Sequence, residues 1–350
     1  MQDVLYYLIG FIIVSTLVPF IRNDYWIFRV FEYPRLQKFA LNIVLLVAVL
    51  VFSFPSTTWQ YVIIAAFILN LIYLGYLIYP FTSMAKVQII NAERPPGPDN
   101  ISILIANVYQ ENRKAAEFKE LILSYDPDVV LLVETDEWWH QQIDSIKSKY
   151  SHQITVPLEN TYGMLLYSKL ELKNGSVNYL VEDEIPSIEV DVILRSGQEI
   201  KLFCLHPTPP VPQENPRSTE RDKEILMVGK KAKTCNCPTI VIGDLNDVAW
   251  SYTTELFGKI SGLLDPRRGR GFYNSFNAKY FFLRFPLDHI FCSSDFALAD
   301  LKRLKSCGSD HFPMFVNLQY QPEAEEVNEE PEASSEERQL AEEKINAPTD

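Results

Sequence analysis

Three stretches within the first ninety residues, 4–20, 39–54 and 61–81, contain no charged side chain. Crossing the hydrocarbon core of a bilayer takes about 20 mostly apolar residues. The third stretch meets that length, and the first two reach it with a few flanking residues. The N-terminal region 1–81 is therefore expected to hold three transmembrane helices and to anchor the chain, multi-pass, among the lipids of the cell (inner) membrane. No basic segment precedes Val4 and no small-residue cleavage site follows it, which argues against a signal peptide. Between the first two stretches, Trp26, Phe28, Phe31 and Tyr33 mix with Arg22, Arg29, Arg35 and Lys38. That pattern suits an amphipathic segment in the interface. The positive-inside rule would place this loop, and with it the region after the third span, in the cytoplasm. A loop lying flat on the headgroups reports neither side, so sidedness stays open.

Residues 82–100 read as a linker, ending in NAERPPGPDN with three prolines and a glycine. Strands and helices then alternate through a region of 101–320. Strands are expected at 101–108, 128–133, 162–168, 187–194, 199–205, 239–242, 287–292 and 312–318. Helices are expected at 113–125, 138–147, 218–233 and 251–257. The tail 321–350 holds eleven acids and two bases, a composition expected to stay disordered. That tail accounts for most of the net charge of −13, and residues 91–320 carry −6. A region of that sign lacks the basic footprint of a general nucleic-acid binder. The five cysteines form no C-x-x-C pair and read as small buried hydrophobes.

Polar residues recur where the expected strands end. The run PTIVIGDLN ends a buried strand at Gly243 and delivers Asp244 and Asn246, at positions i and i+2, to the same side. A carboxylate there can hold a proton or a metal, and an amide can bond a phosphate oxygen without adding negative charge. Asn107 and Glu134 end the first two strands, His206 follows EIKLFCL, Asp288 opens LDHIFC, and Asp310 and His311 precede the last strand. Strand alternation turns His289 away from Asp288.

In their order, ANVYQEN, PDVVLLVET, YGMLLYSK, LHPTPP, IVIGDLND, LDHIF and SDHFPM resemble the motifs of the endonuclease/exonuclease/phosphatase superfamily, over about residues 101–320. The resemblance implies an α/β (α+β) four-layer sandwich, two mixed β-sheets flanked by helices, with a metal-bound site at one end of the sheets. The HPTPP segment and the apolar N-terminus are similar to a bacterial membrane-anchored branch of that superfamily. This chain lacks any long basic or aromatic insertion that would grip a duplex.

Hydrolysing a phosphoester requires neutralised phosphoryl oxygens, a nucleophilic water and a proton for the leaving oxygen. Glu134, Asp310 and Asn107 are the expected oxygen ligands for Mg²⁺ or Mn²⁺, a sparse set of the kind Mg²⁺ accepts. Asp244 is expected to deprotonate the water and Asn246 to bond a phosphoryl oxygen. His311, oriented by Asp288, and His206 on the other side would bond phosphate or protonate the leaving group. Arg217 is expected either to reach a phosphate or to cap its helix. The expected activity is a membrane-anchored, metal-dependent phosphodiesterase or phosphomonoesterase, with no protein partner implied. The alternatives are a membrane-tethered nuclease and a catalytically inactive domain that binds a phosphorylated ligand.

Overall fold

The computed structural model describes residues 2–52 and 55–349; the expected ends of the second apolar stretch (53–54) and of the tail (350) lie outside them. At the N-terminus stand α1 (Gln2–Leu17), a short α2 (Trp26–Arg29), α3 (Arg35–Phe52) and α4 (Thr58–Ile78). Residues 4–21, 35–52 and 58–81 have mean hydropathies of 2.3, 1.9 and 2.2, and by length and composition these helices can cross a membrane. They pack on one another through Tyr6, Ile9, Ile12, Leu45, Val49 and Phe67. Their outward faces expose Phe11, Val44, Val51, Leu69, Ile72 and Tyr76, an apolar surface that water does not favour.

Strands with two buried faces create the remaining layers. The first sheet is built from β1 (Asn100–Asn107), β2 (Val129–Val133), β3 (His152–Val156), β4 (Met164–Ser168), β10 (Phe296–Arg303) and β11 (Met314–Tyr320). Its spatial order is β10-β11-β1-β2-β4-β3. The second holds β5 (Glu171–Asn178), β6 (Ser187–Ile193), β7 (Glu199–Leu205), β8 (Thr239–Asp244) and β9 (Asp288–Cys292), adjacent in that order. In β1, Ile101, Ile103 and Ile105 enter the core between the sheets, whereas Leu104 and Ala106 face helices. In β8, Ile240 and Ile242 face the other sheet and Val241 faces helices. This alternation explains why both strands read as continuous apolar runs. The first sheet is covered by α5 (Ala115–Tyr125) and α6 (Glu137–Ile143), through Phe118, Ile122, Trp139 and Ile143. The second is covered by α7 (Thr219–Thr234) and α8 (Tyr252–Ser261), through Ile225, Leu226, Leu256 and Phe257. The fold is thus the expected four-layer α/β sandwich.

The sequence reading missed β3, β5 and β10, whose residues are half-exposed or carry polar interruptions. The expected linker is also partly structured. Ile89 is fully buried between the sheets, and Ile90 and Ala92 exchange backbone hydrogen bonds with Leu298 of β10. Cys204, Cys292 and Cys307 are buried thiols as expected, whereas Cys235 and Cys237 are joined in a disulfide.

Residues 321–350, expected to be disordered, instead carry α9 (Ser335–Ile345), opened by a reciprocal Ser334–Glu337 capping box. Ala341 is buried against the α7/α8 layer, with Leu340 and Ile345 beside it. Glu342 meets Lys230 at 2.7 Å, Glu330 meets Lys233 at 2.9 Å and Lys344 meets Asp222 at 2.7 Å. The acids that suggested disorder face lysines 97 and 112 residues earlier in the chain, a complementarity that the tail's own composition does not contain.

Two outcomes follow from this packing. A chain ending at Gln321 loses the Ala341 contacts and one of the cationic partners of buried Asp222, so its thermal midpoint in detergent should fall by several degrees. Glu224 of α7 is buried with Oε1 unpartnered, and burial pushes its carboxyl up to about 8. A folded-state pKa above the ordinary carboxyl value makes the protonated form the stable one. Its contribution is whole below the ordinary value of 4.5 and is lost as pH rises through about 8. Glu224→Gln, which cannot ionise, should therefore gain stability relative to the natural chain as pH rises from 5 to 9 in thermal melts.

Candidate active site

Strand direction gathers the polar strand ends at one edge. β1 and β2 run parallel, as do β7 and β8, so Asn107, Glu134, His206 and Asp244 each stand at or just past a C-terminal end. β9 runs antiparallel to β8, which sets its first residue, Asp288, directly across from Asp244. β11 runs antiparallel to β1, with Met314 across from Ile105. The residues just before β11, Asp310 and His311, therefore lie past the end of β1. Gly243 permits the close approach of β8 to β7: its φ is +146°, and a Cβ would stand 1.9 Å from the Leu205 carbonyl oxygen.

At the centre, the Asn107 amide bridges the two sheets. Its Nδ2 donates to Glu134 Oε1 at 2.6 Å and to Asp244 Oδ2 at 3.0 Å. Its Oδ1 accepts from the Tyr109 backbone N–H. His311 lies between two carboxylates, with Nδ1 2.7 Å from Asp288 Oδ2 and Nε2 3.5 Å from Asp244 Oδ2. His206 is buried, its ring 5.3 Å from that of Tyr162, and its Nδ1 has no hydrogen-bond partner among the described residues. Asn246 donates through its backbone N–H to Asp244 Oδ1 and through Nδ2 to the Pro207 carbonyl.

Electrostatics separate these groups. Burial pushes the Glu134 carboxyl up to about 7, with Asp244 and Asp310 adding to the shift and Asn107 opposing it. Burial likewise raises Asp244, reinforced by Asp288 and opposed by His311. Burial disfavours a charged His311, yet Asp288 and Asp244 outweigh it and push the imidazole up to about 10. Burial brings His206 down to about 4, aided by the charge on His311. The site thus pairs an imidazolium with a neutral imidazole, facing carboxylates with more negative charge than the protein compensates.

Asp244, Asp288 and His311 also bring one ligand atom each within 4.8 Å of one another. Within this trio His311 Nδ1 is engaged with Asp288, and Nε2 faces Asp244. Of the expected ligands, Glu134 and Asn107 meet at 2.6 Å, and Asp310 lies near enough to help raise the Glu134 carboxyl.

Arg217 does not enter the cluster: its guanidinium pairs with Asp24 at 2.8 Å. Asn246 has one amide hydrogen engaged by Pro207, which leaves the other for a ligand. His289 is structural, as alternation implied, with Nδ1 2.8 Å from Arg267 Nη2 and Nε2 2.8 Å from the Asp247 carbonyl. Sequence reasoning missed Tyr33, Arg29, Arg221 and Asp247, which converge behind Asn246. Only Asp247, inside the IVIGDLND motif, carried a signal. Phe276, whose ring lies 4.9 Å from His311, was missed as well.

The family model described as Endonuclease/Exonuclease/phosphatase family matches residues 104–311. A search of curated proteins finds no match. Among solved structures, D. rerio TDP2 humanized by 14 mutations superposes with a TM-score of 0.53 at 18% identity, covering 63% of this chain and 99% of that one. The human Nocturnin catalytic domain with bound sulfate gives 0.52 at 16% identity, covering 69% and 99%. An endonuclease/exonuclease/phosphatase family protein from Bacteroides thetaiotaomicron gives 0.51 at 18% identity, covering 65% and 100%. At such identities the likeness to these structures is one of fold.

The His311–Asp288 pair has a measurable signature. A histidine raised to about 10 from 6.5 stabilises the folded chain fully below pH 6.5, and that contribution is lost as pH rises through 10. Asp288→Asn removes the anion nearest the ring, so His311 should titrate well below 10. Histidine NMR resonances, of which the chain has five, report this directly. The loss of thermal stability between pH 6 and 10 should shrink in parallel.

Proposed function

The chain belongs to the endonuclease/exonuclease/phosphatase family, and on that premise we propose that it is a metal-dependent phosphoesterase held at a membrane, hydrolysing phosphodiester or phosphomonoester bonds. The observation that carries this reading is the meeting of Glu134, Asp244 and Asp310 with one amide and one imidazolium. Carboxylates that raise one another's pKa leave negative charge for a cation to neutralise. Glu134 and Asp310, with the Asn107 amide oxygen, would hold Mg²⁺ or Mn²⁺, and their hard-oxygen chemistry fits either ion. When bound, such an ion supplies Lewis-acid neutralisation of the phosphoryl oxygens.

The protein's own groups have distinct tasks. Asp244, its basicity raised by burial, accepts a proton from the attacking water. His311, charged at neutral pH, donates from Nε2 to a phosphoryl oxygen, and Asp288 fixes its ring. The free amide hydrogen of Asn246 bonds a second phosphoryl oxygen. His206, neutral at that pH, offers a hydrogen bond rather than a full charge on the opposite side.

Position favours a lipid-borne or small phosphoester as substrate. Contacts run without a gap from the His311 ring to Phe276, by backbone pairing to Phe285, then ring to ring at 5.6 Å to Tyr33, two residues before α3. Beside this path, residues 280–283 expose Tyr280, Phe281, Phe282 and Leu283, and Gln37 of α3 holds the carbonyls of Phe282 and Arg284. A site so close to an apolar helix meets headgroups before it meets long polyanions, which the −6 charge of residues 91–320 repels. Nucleic acid is the second reading, since a structure of D. rerio TDP2, a fold relative, holds a single-strand DNA product.

The full chain in mixed phospholipid micelles, assayed with Mg²⁺, Mn²⁺ or EDTA, tests both parts. Phosphate or headgroup release should need the metal. Glu134→Gln should lower turnover by about 100-fold or more, the scale on which preorganised charge acts in catalysis, at an unchanged thermal midpoint. Turnover that survives EDTA would sink the metal reading. Rapid nicking of supercoiled plasmid with no lipid product would make the substrate nucleic acid.

A further inference from the structure

We propose that the segment joining the first two apolar helices, through Tyr33 and Arg29, positions the catalytic turn Asp244–Asp247, so that turnover depends on how the membrane-side segment is seated. The inference rests on the assignment of Asp244 and Asn246 to the reaction made above.

The turn needs outside support. Asn246 has φ +50°, a left-handed conformation that a residue with a side chain keeps only where its surroundings over-determine it. Its carbonyl accepts two hydrogen bonds, from the Tyr33 hydroxyl at 2.9 Å and from Arg221 Nη1 at 2.7 Å. The backbone N–H of the same residue holds Asp244 Oδ1 at 3.0 Å. Any shift of the Asn246 peptide units is therefore passed to the carboxylate that handles the attacking water.

The next residue is clamped from the same side. Asp247 Oδ2 lies 3.2 Å from Arg221 Nη2 and 3.6 Å from Arg29 Nη2. Arg29 also faces Glu32 at 3.5 Å and Asp222 at 3.9 Å, and Lys344 closes the group on Asp222. Three cations thus balance three acids, all but Lys344 out of contact with water. Buried charges tolerate few arrangements, because moving one leaves another unpaired. The seat is fastened further by the Trp250 indole donating to the Glu32 carbonyl, by Arg35 donating to the Trp250 carbonyl and by Arg29 donating to Thr253.

These contacts reach the sandwich through the polar residues Asp222 of α7 and Thr253 of α8 rather than through its hydrophobic cores. The core between the sheets and the two sheet–helix cores contain no residue from 22–38. Tyr33 belongs instead to the small cluster of Phe81, Val248, Trp250, Phe285 and Leu287, which lies directly behind the turn and includes the end of the third apolar segment. The segment is thus placed to act on the turn. Anything that shifts α1 against α3, such as bilayer thickness or lipid packing, reaches Asp244 through Tyr33 and Asn246.

The test uses the full chain in lipid nanodiscs, with Tyr33→Phe, which deletes one hydroxyl and keeps the ring, and Arg29→Lys, which keeps the charge but not the fork. Two readouts run side by side: steady-state kinetics on the phosphoester that the natural chain hydrolyses, and hydrogen–deuterium exchange of peptides covering residues 243–250. For Tyr33→Phe, kcat should fall about 3- to 10-fold, the factor that one ordinary hydrogen bond supplies, with KM and the thermal midpoint nearly unchanged. Exchange at 243–250 should quicken while β1, β2 and β7 stay protected. Arg29→Lys should move both readouts the same way. Unchanged kcat together with unchanged exchange at 243–250 overturns the inference. So does a fall in kcat, KM and thermal midpoint together with faster exchange in both sheets, which would make the segment a general prop. If the natural chain hydrolyses no phosphoester, the functional reading fails, and the exchange data still decide whether Tyr33 and Arg29 set the turn.

Discussion

Asp244 has no exposed surface, and the need to offset its buried charge organises the end of the sandwich. An isolated carboxylate in a dry interior is costly, so a native fold surrounds it with donors and opposite charge. Here the donors come from three places: the Asn107 amide from the other sheet, the Asn246 backbone and the His311 ring, which Asp288 holds from behind. Each of these groups carries a second bond, so the arrangement is a network rather than a set of pairs. A network of that kind holds its geometry while leaving carboxylates short of positive charge. That shortage is the feature that suits a divalent cation and a phosphate together.

Behind this network stands a second one of opposite character. Arg29, Arg221 and Lys344 against Glu32, Asp222 and Asp247 form a balanced cluster, buried except at Lys344. Its members come from the segment between two apolar helices, from α7, from the Asp244–Asp247 turn and from the C-terminal helix. The chain ends and the middle of the fold are thereby tied at one point. The N-terminal helices are consequently joined to the sandwich, since the segment between them packs against the turn that holds Asp244.

The apolar helices and the site also share a boundary. Phe276 against His311, Phe285 against Tyr33 and Gln37 against the 280–284 backbone make one continuous surface from the reacting groups to the start of α3. The exposed aromatic residues 280–282 lie beside it. A substrate that partitions to a lipid–water boundary would reach the site by a short path.

Much of this was legible in the chain. Uncharged apolar stretches give helices of spanning length because hydrocarbon excludes charge. Continuous β-branched runs such as VVLLV and TIVI give strands buried on two faces, and polar residues at their ends mark where such strands leave the core. Asn107, Glu134, Asp244 and His311 could be chosen because each stood at a strand end, where the chemistry is local in sequence. Other features depend on partners far away in the chain. Nothing near Tyr33 announces that its hydroxyl meets Asn246, more than two hundred residues later. Arg217 looked available for phosphate until the fold set Asp24 against it. The acidic tail read as disordered because composition counts its charges alone, whereas α9 is held by lysines of α7 and α8. Sequence by itself determined where charge is absent and where strands end, both properties of short windows. Tertiary structure alone decided which charges meet, because a buried ion pair depends on the distance between two side chains and not on their separation along the chain.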